Sequence, residues 1–285
     1  MTILVTGANG QVGQEFRRLA MDPALAFLFT GRDELDITDR GAVLRYFETH
    51  RPTHCINCAA YTAVDRAESE PGAAAALNEN GAANLAYACA LSSTRLIHLS
   101  TDYVFDGRGN RPYVETDPTG PTGIYGATKL AGERRCREED PQSIVIRTSW
   151  VFSSYGSNFV KTMLRLMTER DQVRVVNDQH GCPTYAADLA DSILHIIRAG
   201  EWTPGIYHIA NEGETTWFQL AMEIRDRCGL TCAVEPIGTA GFPTAARRPA
   251  YSVLDTEKIR SVYGLAPRHW KEALADCLGR LGHRM

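Results

Sequence analysis

Thr6-Gly7-Ala8-Asn9-Gly10-Gln11-Val12-Gly13 decides how the chain is to be read. It follows the β-branched run Thr2 to Thr6 and opens a helical stretch from about Gly10 to Ala20. Glycines at 7, 10 and 13 let the backbone turn sharply from strand to helix and approach a pyrophosphate closely. The helix N-terminus then offers free N–H groups and the positive end of its dipole. Spaced glycines are common in any chain. The strand before them and the helix after them are what point to a dinucleotide site at Gly7, Gly10, Gln11, Val12 and Gly13.

Outward from this turn, strands and helices alternate. Phe27 to Thr30, His54 to Ala59, Leu96 to Ser100 and Ser143 to Thr148 are short apolar runs. Gly41 to His50, an Ala-rich stretch from Gly72 to Leu91, and Gly126 to Glu138 separate them as helices. This rhythm predicts an α/β fold: a Rossmann-type, doubly wound parallel sheet covered on both faces. Beyond Ser149 the rhythm loosens, and a smaller C-terminal substrate lobe is expected. The expected division is residues 1–149 with about 173–198 for the dinucleotide, and about 150–172 with 199–285 for the substrate.

Composition narrows the function classes. With 44% hydrophobic and 22% charged residues, the 285-residue chain is an ordinary globular one. A net charge of -4 gives no electrostatic footprint for nucleic acid, and no apolar run is long enough to span a bilayer. Eight cysteines without a secretory leader predict reduced thiols and a cytoplasmic protein. Cys55 and Cys58 form a C-x-x-C, but on a buried strand residues three apart face opposite sides, so a core reading is preferred to a redox or zinc site.

Tyr125-Gly126-Ala127-Thr128-Lys129 supplies the chemistry. Residues four apart on a helix share a face. A phenol there can act as general acid toward a carbonyl oxygen that receives a hydride, and the ammonium is expected to lower its pKa. The pair follows the turn Ser100-Thr101-Asp102-Tyr103 at a strand's carboxyl end, where open α/β sheets bind ligands. At the end of the second strand, Arg32 suits a 2′-phosphate and Asp33 a 2′-hydroxyl, so NADPH is favoured over NADH only by the arginine. Asp36 is read equally as a contact to adenine or as part of a helix N-cap region.

Taken together with Asn57 to Glu68 (NCAAYTAVDRAE), Ser100 to Gly107 (STDYVFDG), Arg147 to Phe152 (RTSWVF), Asn158-Phe159-Val160, Asp178 to Thr184 (DQHGCPT) and Arg248-Pro249, these motifs carry a resemblance over the whole chain. It resembles the extended short-chain dehydrogenases/reductases and, within them, the dTDP-4-dehydrorhamnose reductases. The resemblance implies that Gly10, Gln11 and Val12 wrap the pyrophosphate and that Asp36 and Ile37 border the adenine. Ala60, Tyr61 and Thr62 would line the nicotinamide side, while Lys129 would hold its ribose. Thr101 would bond the substrate's 4-keto oxygen beside Tyr125, with Asp102 and Trp150 touching the sugar.

The implied reaction is NAD(P)H-dependent reduction of dTDP-4-dehydro-L-rhamnose to dTDP-L-rhamnose. The alternatives are another nucleotide-sugar reductase, epimerase or dehydratase, or a non-catalytic regulatory subunit on this fold. Dehydratases pair two acids after the threonine, whereas Tyr103 follows Asp102 here. A non-catalytic subunit need not keep Thr101, Tyr125 and Lys129. Some members of the family hold magnesium between the subunits of a homodimer. Glu15 could be one ligand, but Ala187 stands where its acidic partner is expected. Trp150 reads as pocket wall or as core, and Asp178 as turn cap or ligand contact. Arg247 and Arg248 read as a solvated pair or as guanidinium groups for the substrate's pyrophosphate.

Overall fold

The computed structural model describes residues 1–20 and 25–283. Five strands, β1 (Thr2–Thr6), β2 (Ala26–Thr30), β3 (His54–Asn57), β4 (Arg95–Thr101) and β5 (Ile144–Thr148), share one sheet with the edge strand Gly205–His208. Their spatial order is β2-β1-β3-β4-β5 and then Gly205–His208, with every pairing parallel. The connections leave β1 first to one side and then to the other. A crevice therefore opens between the carboxyl ends of β1 and β3, where Thr6 pairs with Asn57.

Side chains alternate between two cores, as the strand period requires. Ile3 and Val5 enter one with Phe16, Leu189 and Ile193 of the helices Gln11–Leu19 and Ala186–Arg198. Leu4 enters the other with Val43, Phe47 and Leu85 of the helices Arg40–His50 and Ala82–Ser92. Asp39 caps Arg40–His50 by accepting from Ala42 N, a contribution of about 1 kcal/mol. Cys55 is in the second core and Cys58 packs against the first, so the C-x-x-C is split by the sheet.

The Ala-rich helix is broken into Pro71–Ala75, a π turn over Ala76–Gly81, and Ala82–Ser92. The extra residue in that turn re-aims Asn78, which matters at the site below.

A third core holds the smaller lobe. Helices Phe159–Glu169, Trp217–Arg227 and Trp270–Arg280 pack Met163, Leu164, Leu220 and Leu274 around the parallel pair Gln172–Val176 and Ala233–Ile237. Two strands fall on the other side of the boundary expected from the sequence. Gly205–His208 pairs with β5 in the large sheet, and Gln172–Val176 belongs to the small lobe. Either strand is a short apolar run, and which sheet it joins depends on partners far away in the chain. Ala233–Ile237 carries Pro236, which an edge strand tolerates. The helix Ala186–Arg198 lies against the large core. No helix of the described residues is long and apolar enough to cross a membrane.

Candidate active site

A cavity of about 1130 Å³ lies over the carboxyl ends of β1, β3, β4 and β5. Gly7, Gly10, Gln11, Val12 and Gly13 form its near wall. Gly7 has φ +65°, and a Cβ there would stand 2.5 Å from Ala59 N. Only glycine lets the turn after β1 lie against the loop after β3. The first N–H groups of Gln11–Leu19 face this turn without intrahelical partners. Such a cradle of orphan donors suits a pyrophosphate, so the residues fit a dinucleotide.

Two polar ties that the sequence reading did not single out hold the loops in place. Asn57 Oδ1 accepts from Thr6 Oγ1 (2.8 Å) and Ala59 N (3.1 Å), while its Nδ2 donates to His98 Nδ1 (2.9 Å). Burial holds the His98 imidazole well below its ordinary pKa, so it stays neutral and accepts that bond. Asn78, in the π turn, accepts from Tyr61 N (2.8 Å) and donates to Tyr61 O (3.2 Å) and Thr128 Oγ1 (3.1 Å). It thereby couples the segment Ala60-Tyr61-Thr62, which lines the cavity, to the helix that carries Tyr125 and Lys129.

That helix, Ile124–Glu139, starts where Glu68 Oε1 accepts from Ile124 N (2.8 Å). Further along, Glu133 and Arg147 of β5 make a two-pronged buried ion pair (2.9 and 2.7 Å). Losing one partner of such a pair costs about 3–5 kcal/mol, so it pins the helix to the sheet. Tyr125 and Lys129 both line the cavity. Lys129 is buried and donates from Nζ to Leu99 O (2.6 Å). Burial lowers its pKa to about 8.

The phenol departs from expectation. Burial raises the pKa of Tyr125 to about 12; its hydrogen-bonding contact with Thr101 opposes this and the charge of Asp102 adds to it. The ammonium does not lower the phenol's pKa as expected, because it is turned to Leu99 O and desolvation outweighs it. The tyrosine therefore remains protonated at neutral pH, which is the state a proton donor needs.

Thr101 donates from Oγ1 to Asp102 Oδ1 (3.0 Å), and burial raises Asp102 to a pKa of about 6. Tyr103 sets its ring edge-on to Tyr125, with centroids 5.5 Å apart. On the far wall Trp150 reaches the cavity rather than the core. It stacks on Trp217, a cavity residue the sequence reading missed for want of any nearby motif.

At the opposite end, Arg32, Asp36 and Ile37 border the cavity. Asp36 accepts from Thr38 N (2.9 Å) and Oγ1 (2.7 Å), closing a turn, and lies 3.8 Å from Arg32. Asp39, not Asp36, caps the following helix.

Three residues whose roles the sequence left open lie outside the cavity lining. Arg248 does not line the cavity; its guanidinium pairs with Asp65 (2.6 and 2.7 Å) and holds the loop around Ala246. Asp178 accepts from Thr239 N and Oγ1, which makes it a turn clamp. Glu15 is fully buried and accepts from Ser153 Oγ (2.8 Å), Arg18 (3.1 Å) and Arg280 (3.0 Å). Two guanidiniums already neutralise that carboxylate, and Ala187 is buried with no donor to offer. The residues present do not fit a magnesium ion there.

A family profile described as RmlD substrate binding domain matches residues 1–282. The chain is 47% identical over 279 residues to a dTDP-4-dehydrorhamnose reductase of Streptomyces griseus, covering 96% of this chain and 91% of that one. A solved dTDP-4-dehydrorhamnose reductase of Clostridium acetobutylicum superposes with a TM-score of 0.96 at 38% identity, covering 99% and 100% of the two chains. Another, from Bacillus anthracis and in complex with NADP, gives 0.94 at 38% identity over 98% and 99%. With fold, profile and full-length relatives in agreement, the chain belongs to the dTDP-4-dehydrorhamnose reductase family within the extended short-chain dehydrogenases/reductases.

Proposed function

We propose that the protein reduces the 4-keto group of dTDP-4-dehydro-L-rhamnose to give dTDP-L-rhamnose, with NADPH as the favoured cofactor. The observation that carries this reading is that Tyr125, Thr101 and Lys129 line one cavity with the glycine turn. Bound NADPH supplies the hydride. Tyr125 gives its phenolic proton to the oxygen that becomes the 4-hydroxyl, and Thr101 holds that oxygen in line. Lys129 holds the nicotinamide ribose and stabilises the phenolate left after transfer. Its Nζ, held by Leu99 O, has further donors for that work.

Gly7, Gly10, Gln11, Val12 and Gly13 bind the pyrophosphate through backbone N–H groups. Arg32, Asp36 and Ile37 take the adenosine end, while Ala60, Tyr61 and Thr62 line the nicotinamide side. Asp102 and Trp150 hold the sugar. Arg248, committed to Asp65, serves the substrate by ordering its loop rather than by touching a phosphate. Tyr103, packed on Tyr125 where a dehydratase would place its second acid, favours reduction over dehydration. The eight free thiols are consistent with work in the cytoplasm. With no fit for a bridging metal at Glu15, a homodimer of these chains would need another contact.

A coupled assay offering NADPH or NADH with dTDP-4-dehydro-L-rhamnose and with other 4-keto sugar nucleotides tests the assignment. Cofactor oxidation is expected with the rhamnose precursor and to be faster with NADPH. A folded protein that oxidises neither cofactor with that sugar refutes it.

A further inference from the structure

Trp150 is one of only three non-glycine residues with positive φ among the described residues, at +46°. A tryptophan adopts that left-handed backbone only where its surroundings hold it there. Three contacts do so. Thr184 N donates to Trp150 O (3.3 Å). Gly181 lies so close that a Cβ on it would stand 2.5 Å from the indole. Trp217 stacks on the ring with centroids 3.5 Å apart and planes within 6°.

Trp217 is itself fixed from two sides. It opens the helix Trp217–Arg227 behind a capping box in which Thr216 Oγ1 accepts from Gln219 N and the Gln219 side chain accepts from Thr216 N. Phe159 tilts against it at 4.7 Å. The helix that Phe159 opens is capped by Asn158, whose Nδ2 donates to Gln11 Oε1 (2.9 Å) in the cofactor turn. An unbroken set of contacts thus runs from the glycine turn to the sugar wall.

We propose that Trp217 is a positioning residue for the nucleotide sugar: by stacking on Trp150 it keeps that indole in its strained conformation as the flat apolar wall of the sugar subsite. This rests on the reading of Trp150 as a sugar contact under the proposed function. The C–H face of a hexose packs well on such a surface, and an indole free to swing would offer it less often. The effect falls on the sugar nucleotide rather than on NADPH, because Trp217 touches Trp150 directly and reaches the glycine turn only through Phe159 and Asn158.

The test compares Trp217→Leu and Trp217→Phe with the wild type by steady-state kinetics with both substrates and by calorimetric binding of dTDP-L-rhamnose to the NADPH-loaded enzyme. Trp217→Leu is expected to raise KM and Kd for the sugar nucleotide roughly three- to tenfold, the size of one aromatic stack. KM for NADPH should stay unchanged, and Trp217→Phe should recover most of the loss. Equal rises in both KM values, no rise at all, or a phenylalanine variant no better than leucine would each overturn the proposal. Should Trp217→Leu fail to fold, Phe159→Leu loosens the same stack and must show the same selective effect in smaller measure. A wild-type protein that binds no dTDP sugar instead overturns the functional reading, and this inference with it.

Discussion

At the cofactor end of the cavity, the carboxyl ends of neighbouring strands in one sheet deliver the binding groups. Their loops are cross-tied by Asn57 and Asn78. At the end proposed for the sugar the wall is assembled from Trp150, the Gly181 strand and Trp217. These lie in separate stretches of chain and meet through two-residue strands, Thr215 and Thr216 pairing with Gly181 and His180. The first end gains rigidity from a sheet whose hydrogen bonds continue beneath it. The second depends on ring stacking and on one strained backbone. A dinucleotide is a fixed partner and can be met by a fixed frame, whereas a wall built from independent pieces can be altered piece by piece, which suits the variable part of a substrate.

The sharpest way to break this comparison is at the point where the two ends meet. Tyr125→Phe removes only the phenolic oxygen, leaving the ring that packs edge-on to Tyr103. Turnover is expected to fall on the order of 10²- to 10⁴-fold, the usual contribution of a positioned general acid. Binding of NADPH, measured by calorimetry, should be unchanged. Near wild-type kcat in the purified variant would remove Tyr125 from the chemistry and leave the cavity without its proton donor.

The contrast between the ends also explains what could be read in the sequence. The glycine turn and the Tyr125–Lys129 pair are local: their meaning lies in spacing within a turn or two of chain, and both line the one cavity. Apart from the local bond of Asn57 to Ala59 N, Asn57 and Asn78 act through partners 17 to 51 residues away, at positions where a buried polar side chain gives no hint of what it will meet. Arg248 was read as a solvated arginine or as a phosphate ligand, and it found Asp65, 183 residues earlier. Chemistry alone could not choose between the two anions. The exchange of Gly205–His208 and Gln172–Val176 between the two bodies has the same origin. Strand propensity is local, and sheet membership is not.

Lys129 sharpens the comparison from the rigid side. Its ammonium is buried against Leu99 O, and its pKa is lowered from 10.5 to about 8. If turnover requires this cation, as proposed, it is lost as pH rises through about 8, while the phenol, raised to about 12, remains protonated. The basic limb of the kcat/KM profile is expected near that lower value and should report the lysine. Lys129→Met should lower kcat, though less than Tyr125→Phe, weaken NADPH binding, and abolish that limb. A limb that persists unchanged in the methionine variant would assign it to another group and leave Lys129 as a ribose contact only.

The smallest effect is expected at the adenosine edge, where the rigid frame ends and solvent begins. Arg32 has an 88% exposed side chain, and its nearest acid, Asp36, is 3.8 Å away and already bonded to Thr38. The guanidinium is thus free to turn toward a 2′-phosphate at the mouth of the cavity, but in water and salt such an exposed pair is weak. Arg32→Ala should raise KM for NADPH roughly two- to fivefold, the range of an exposed ion pair, and leave KM for NADH unchanged. Because screening weakens surface charges, the difference between the two enzymes should shrink as ionic strength rises. Equal changes for both cofactors would show that Arg32 does not read the phosphate.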